Sequence, residues 1–146
     1  MNNSEIEILL IEDNLNDAEL TIRALHKSKI SNKLVHVKDG ASAIDFLFGK
    51  GEYADRDSSI KPKVILLDLK MPKVDGLEVL RLIKENDLTK KIPVVVLTSS
   101  KENPDIELSY ALGANSYIVK PVDFDGFMKA VSELGLYWLL FNQQPA

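Results

Sequence analysis

The stretch Val64-Ile65-Leu66-Leu67-Asp68-Leu69-Lys70-Met71-Pro72 constrains the fold more than any other, because an apolar run there ends on an acid and turns at a proline. A run this rich in branched residues, with no polar alternation, reads as a strand buried on both faces, the central parallel strand of an α/β sheet. Asp68 then stands at a strand's carboxyl end, where open α/β sheets place their ligand crevices. The plainer alternative is a turn or helix-capping aspartate.

A chain of 146 residues is expected to form one domain. With 45% hydrophobic and 27% charged residues it has the make-up of an ordinary globular protein rather than a disordered or fibrous one. It has no cysteine, which excludes disulfide scaffolds, thiolate metal sites and Cys nucleophiles. A formal net charge of −4 argues against a nucleic-acid-binding surface. No apolar stretch approaches the ~20 residues that span a bilayer, and the polar start lacks signal-peptide character, so a cytoplasmic location away from membranes is the default expectation.

Four further strands are expected around the first. Ile6 to Ile11 is an apolar run with Glu12-Asp13 at its carboxyl end, followed by a helix capped by Asn14 and carrying Leu15, Ala18, Ile22 and Leu25 at helical spacing. Lys33 to Val37 alternates as a strand, and Asp39-Gly40 then turns into a short helix with Ala43, Ile44, Leu47 and Phe48. Gly49 to Pro62 reads as a long exposed loop. After the Asp68 strand comes a helix with Leu77, Leu80 and Ile83 on one side, then the strand Val94-Val95-Val96-Leu97 running into Thr98-Ser99-Ser100. Asn103-Pro104 starts a helix that Gly113 closes, Tyr117-Ile118-Val119 is the fifth strand and ends in Lys120-Pro121, and Asp123 caps a last helix. Strands alternating with helices in this way imply a doubly wound parallel α/β sheet, since parallel neighbours need crossovers.

In such a sheet neighbouring strand ends bring together Glu12, Asp13, Asp68, Thr98 and Lys120. Three carboxylates about 4 Å apart repel by several kcal/mol at an effective dielectric near 20, so the site should favour a cation. An all-oxygen donor set with few protein ligands selects a hard ion, Mg²⁺ above all. The cation, the Lys120 ammonium and the Thr98 hydroxyl together suit a phosphoryl group attacked in line by a carboxylate.

Glu12-Asp13, the spacing Asp68-x-x-x-Pro72-x-x-x-Gly76, Thr98 and Lys120-Pro121 resemble, in order and in strand context, the motif set of the receiver domains of two-component response regulators. The resemblance covers residues 6 to about 134. It implies the flavodoxin-like, chemotaxis-regulator-like fold with strand order 2-1-3-4-5, and it implies that Asp68 is the phosphoacceptor for a sensor histidine kinase. It further implies that Asp13, Asp68 and the backbone carbonyl of Lys70 hold Mg²⁺, with Glu12 acting through a metal-bound water. Thr98 and Lys120 would bind the phosphoryl oxygens, Pro121 would follow a cis peptide, and Thr98 with Tyr117 would form the conformational switch. Lys70 and Ser100 match the positions that tune dephosphorylation.

Only 25 residues follow Pro121, too few for a helix-turn-helix output domain, so a stand-alone receiver that signals by docking is expected. The tail Leu134-Gly135-Leu136-Tyr137-Trp138-Leu139-Leu140-Phe141 is apolar on every side, which calls for a second surface. A single receiver domain with a core over 6–134 and a dimerisation tail over 135–146 is therefore expected, with Leu136, Tyr137, Trp138, Leu140 and Phe141 in a homodimer interface; folding back on its own domain is the alternative. Tail and loop together resemble the small regulators that serve phytochrome-type histidine kinases.

Rival chemistries fit less well. A haloacid-dehalogenase-type phosphatase would want an acid where Lys70 stands, and no P-loop G-x-x-x-x-G-K-[ST] occurs. A flavodoxin-like cofactor binder would not put Glu12-Asp13 where its phosphate loop belongs. A receiver-like scaffold that is never phosphorylated remains the alternative from another class. His26 and His36 lack a ligand partner at metal spacing and read as surface residues.

Overall fold

The computed structural model describes residues 8–27, 33–69, 75–99 and 103–133. Lys70, Pro72, Ser100 and the tail residues Leu136, Tyr137, Trp138, Leu140 and Phe141 lie outside them. The strands are β1 (Ile8–Ile11), β2 (Leu34–Val37), β3 (Val64–Asp68), β4 (Val94–Thr98) and β5 (Ser116–Val119). They alternate with α1 (Leu15–Lys27), α2 (Gly40–Phe48), α3 (Gly76–Glu85), α4 (Asn103–Ala111) and α5 (Phe124–Glu133). All strands pair in parallel in the order β2-β1-β3-β4-β5, the flavodoxin-like order.

The unbroken apolar runs follow from burial on both faces. In β1 and β3, Leu9, Ile11, Ile65 and Leu67 face a core shared with Phe46 and Leu47 of α2 and Val79, Leu80 and Ile83 of α3. Ile8, Leu10, Val64 and Leu66 face the opposite core, with Ala18 and Leu25 of α1 and Phe127 and Ala130 of α5. Period-two alternation thus feeds two helical layers, and each residue of Ile8–Ile11 and of 64–67 has an apolar destination. Among the described residues no helix is long and apolar enough to cross a membrane.

Two local expectations need correction. Leu15 is 64% exposed, because α1 begins on the solvent side of its cap and the buried stripe starts at Ala18. The segment between α2 and β3 is not a simple exposed loop. It contains a 3-10 turn over Gly51–Tyr53, and its cations close the end of α2. Arg56 lies 3.9 Å over the Phe46 ring and donates to the carbonyls of Phe46 and Ile60 at 2.7 and 2.5 Å. Lys61 donates to the Leu47 carbonyl at 2.8 Å. Positive groups on the last carbonyls of a helix satisfy orphan acceptors and oppose the negative end of its dipole. Phe46, absent from the expected apolar face, is buried because Tyr53 packs edge-on against it and Arg56 covers it.

Candidate functional site

Register alone assembles the site. Ile11 pairs with Leu67, so the next residue of β1, Glu12, comes up beside Asp68. Asp68 pairs with Leu97, which places Thr98 one step beyond, and Thr98 pairs with Val119, which delivers Lys120. A slip of one residue in any of these ladders would turn the polar ends to the wrong faces, and the buried apolar pattern forbids it.

Glu12 is fully buried and tied at several points. Its backbone N–H donates to Val37 at 3.1 Å, and its carbonyl accepts from the His36 ring Nε2 at 2.7 Å. The Asn14 N–H donates to Glu12 Oε2 at 3.2 Å, while Glu12 Oε1 stands 2.8 Å from Lys120 Nζ. Asn14 in turn caps α1, its Oδ1 accepting from the Asp17 N–H at 2.9 Å. His36 is therefore more than the surface residue that its sequence context suggests. It braces the strand end that carries the acids, a role with no local signal because its partner lies on the neighbouring strand.

Carboxylate oxygens of Glu12, Asp13 and Asp68 lie within 4.8 Å of one another. Asp68 and Thr98 are both buried, and Asp13 is half-buried. Partial burial, and then the hydrogen bond and charge of Asp68, hold the Asp13 carboxyl above its ordinary range. Lys120 Nζ lies 2.9 Å from Asp17 Oδ2 and 3.4 Å from Asp68 Oδ1. Burial pulls its ammonium down, but hydrogen bonds to Glu12 and Asp17 and the charge of Asp68 outweigh burial, leaving it above its ordinary value. The Lys120 N–H donates to the Thr98 carbonyl at 2.7 Å, and the Lys120–Pro121 peptide is cis.

Gly76 explains one motif position physically. A Cβ there would stand 2.4 Å from the Asp68 carbonyl oxygen and 2.4 Å from Leu69 Cα, so only glycine lets the start of α3 lie against the end of β3. Tyr117 is 37% exposed on β5 and meets Tyr110 of α4 edge-on at 6.1 Å between centroids. Asp17 is the site contact that sequence reasoning passed over. Its only local signal is an acid in the first turn of a helix, a common dipole partner.

Among the described residues only oxygen donors converge on the acidic cluster, and their surplus of negative charge over the Lys120 ammonium suits a hard divalent cation. Residues 8–132 match the response regulator receiver domain. The chain is 42% identical to the response regulator Rcp1 of Synechocystis over 139 residues, 95% of this chain and 92% of that protein. It superposes on the bacteriophytochrome response regulator AtBRR with a TM-score of 0.85 at 50% identity, covering 95% and 99% of the two chains. The Mn²⁺-bound form of Rcp1 gives 0.75 at 40% identity, with 97% and 99% covered. The phosphorylated cyanobacterial phytochrome response regulator RcpA gives 0.76 at 39%, again with 97% and 99% covered. The matched range spans every strand end that carries the acids, the threonine and the lysine, and the chain belongs to the response regulator receiver domain family.

Proposed function

We propose that this receiver accepts a phosphoryl group on Asp68 from the phosphohistidine of a sensor kinase in a Mg²⁺-dependent reaction, and signals by changing shape and docking. The observation that carries the reading is the convergence of Glu12, Asp13 and Asp68 within 4.8 Å, with Lys120 Nζ 3.4 Å from Asp68. A carboxylate oxygen of Asp68 attacks phosphorus as the P–N bond to the imidazole breaks, and the imidazole leaves with its electron pair. Lys120 and Thr98 neutralise the phosphoryl oxygens, the electrostatic work that dominates phosphoryl transfer. Asp13, Asp68 and the backbone carbonyl of Lys70 would hold Mg²⁺, with Glu12 in its outer sphere. When bound, the ion supplies charge neutralisation between the attacking carboxylate and the incoming phosphoryl oxygens.

Phosphorylation adds charge and acceptor oxygens at one buried point, so Thr98 is drawn toward it and Tyr117 follows on β5. A hollow of about 500 Å³ beside Tyr117, between β5 and α5, gives that motion a surface to act on. Lys70 and Ser100 set how quickly water removes the phosphoryl group. The similarity to AtBRR and RcpA, both phytochrome response regulators, supports a phytochrome-type kinase as donor, and we place the exchange in the cytoplasm. A core over residues 6–134 is followed by a tail, 135–146, that joins the last helix in a homodimer interface. Light scattering of the full chain and of one cut before Leu136 tests the dimer: a dimer that becomes a monomer supports it, and a monomer in both opposes it.

Phosphorylation itself is tested by intact mass after incubation with acetyl phosphate and Mg²⁺. One phosphoryl adduct in the wild type and none in Asp68→Asn is expected. No adduct in a folded wild-type protein would leave an unphosphorylated docking scaffold as the function.

A further inference from the structure

The position of the Lys120 ammonium is set by residues that do not receive the phosphoryl group. An ammonium has three donors. Here Asp17 Oδ2 accepts from Nζ at 2.9 Å, Glu12 Oε1 forms an ion pair with it at 2.8 Å, and Asp68 Oδ1 stands farther off at 3.4 Å. Glu12 is immobilised by burial and by Asn14. Asp17 differs: it belongs to the first turn of α1, its side chain is 37% exposed, and that side chain reaches the site through the lysine. The pair bridges 103 residues of sequence between the first helix and the last strand end.

We infer that Asp17 is a positioning residue that draws Lys120 toward α1 and away from Asp68, so that an arriving phosphoryl group must compete with Asp17 for the ammonium. Three carboxylates, Glu12, Asp17 and Asp68, stand within 3.4 Å of the Lys120 ammonium. Turning Asp68 into an acyl phosphate adds charge on its side of the lysine and pulls Nζ across the 3.4 Å gap. The contact that gives way is the one whose partner is already half in water, where losing an ion pair costs least. Asp17 thereby biases the empty site toward the unphosphorylated arrangement. This inference rests on Asp68 being the phosphoacceptor.

The test is the affinity for beryllofluoride, a phosphoryl mimic, at saturating Mg²⁺ in the full chain, followed by ¹⁹F NMR. Asp17→Asn keeps the shape of the side chain and removes its charge, and its dissociation constant should fall about fivefold, the size of a partly exposed ion pair. Glu19→Gln removes the same charge from the same helix without touching Lys120, since Glu19 pairs with Arg23, and should leave the constant unchanged. The Mg²⁺ affinity of Asp17→Asn should not rise. A merely structural role for Asp17 would weaken binding with loss of the helix-terminal acid, not tighten it. Unchanged or weaker beryllofluoride binding in Asp17→Asn overturns the inference, and so does an equal gain in Glu19→Gln. Wild type that binds no beryllofluoride, or Asp68→Asn that binds it as well as wild type, removes the phosphoacceptor reading itself, whereas failure of Asp17→Asn alone leaves that reading standing.

Discussion

Two half-buried lysines sit at opposite ends of the sheet and have opposite electrostatics. At the amino ends of β4 and β5, Lys84 donates to the carbonyls of Lys90 and Ile92 at 3.2 and 2.8 Å and to Asn115 Oδ1 at 3.0 Å. Its acceptors are neutral, so burial lowers its ammonium below the ordinary value unopposed. At the carboxyl ends, Lys120 meets the carboxylates of Glu12, Asp17 and Asp68, and their hydrogen bonds and charge override the burial. Lys84 closes the edge of the fold through three neutral acceptors. Lys120 leaves a surplus of negative charge, and that surplus marks the end of the sheet at which a cation and a phosphoryl group can be received.

The comparison breaks most visibly on removing each charge. Lys120→Met strands Glu12 in the interior without its cation, and in metal-free buffer it should lose about 3 kcal/mol by urea denaturation. Part of that loss should return on adding Mg²⁺, because the variant's site is more negative than the wild type's. Lys84→Met keeps most of the buried stem and gives up hydrogen bonds to neutral groups, for a loss of about 1–2 kcal/mol that Mg²⁺ does not change. Equal Mg²⁺ dependence of the two variants would erase the distinction.

Mg²⁺ should stabilise the wild type by about 1.4 kcal/mol at ten times its dissociation constant, since it binds only the folded site, and Asp13→Ala should show a smaller shift in Tm. The smallest effect concerns pH. The Asp13 carboxyl is held above its ordinary value of 3.8 in the folded chain, so ionising it costs folded-state stability. That cost is absent below the ordinary value and complete above the raised one. Metal-free Asp13→Asn should therefore be slightly more stable than wild type at pH 7, solvent screening keeping the gap small, and the gap should close as pH falls toward 3.8. A gap that widens with falling pH would assign the repulsion elsewhere.

The strands and their polar ends were legible because a buried parallel strand writes its full length as an apolar run, and the first polar residue after it marks the carboxyl end. Asn14 and Asp123 are likewise recognisable as caps from sequence, and each accepts from a backbone N–H three residues on; Asp39 and Asp75 do the same, although the sequence reads Asp39 as a turn residue and gives Asp75 no cap signal of its own. What sequence does not show are long-range polar partners. Asp17 looks like a helix-dipole acid, His36 like an edge-strand residue, and Arg56 and Lys61 like loop charges. Each acquires its role from a group brought close only by folding: Lys120, the Glu12 carbonyl and the end of α2.

The most direct measurement of the central claim is the location of the phosphoryl group. The acetyl-phosphate-treated protein is reduced with borohydride, which converts an acyl phosphate to an alcohol, and its peptides are mapped by mass. The modification is predicted at Asp68 alone, and only when Mg²⁺ was present. A mark at Asp13 or any other carboxylate, or one formed equally well without Mg²⁺, would contradict the account.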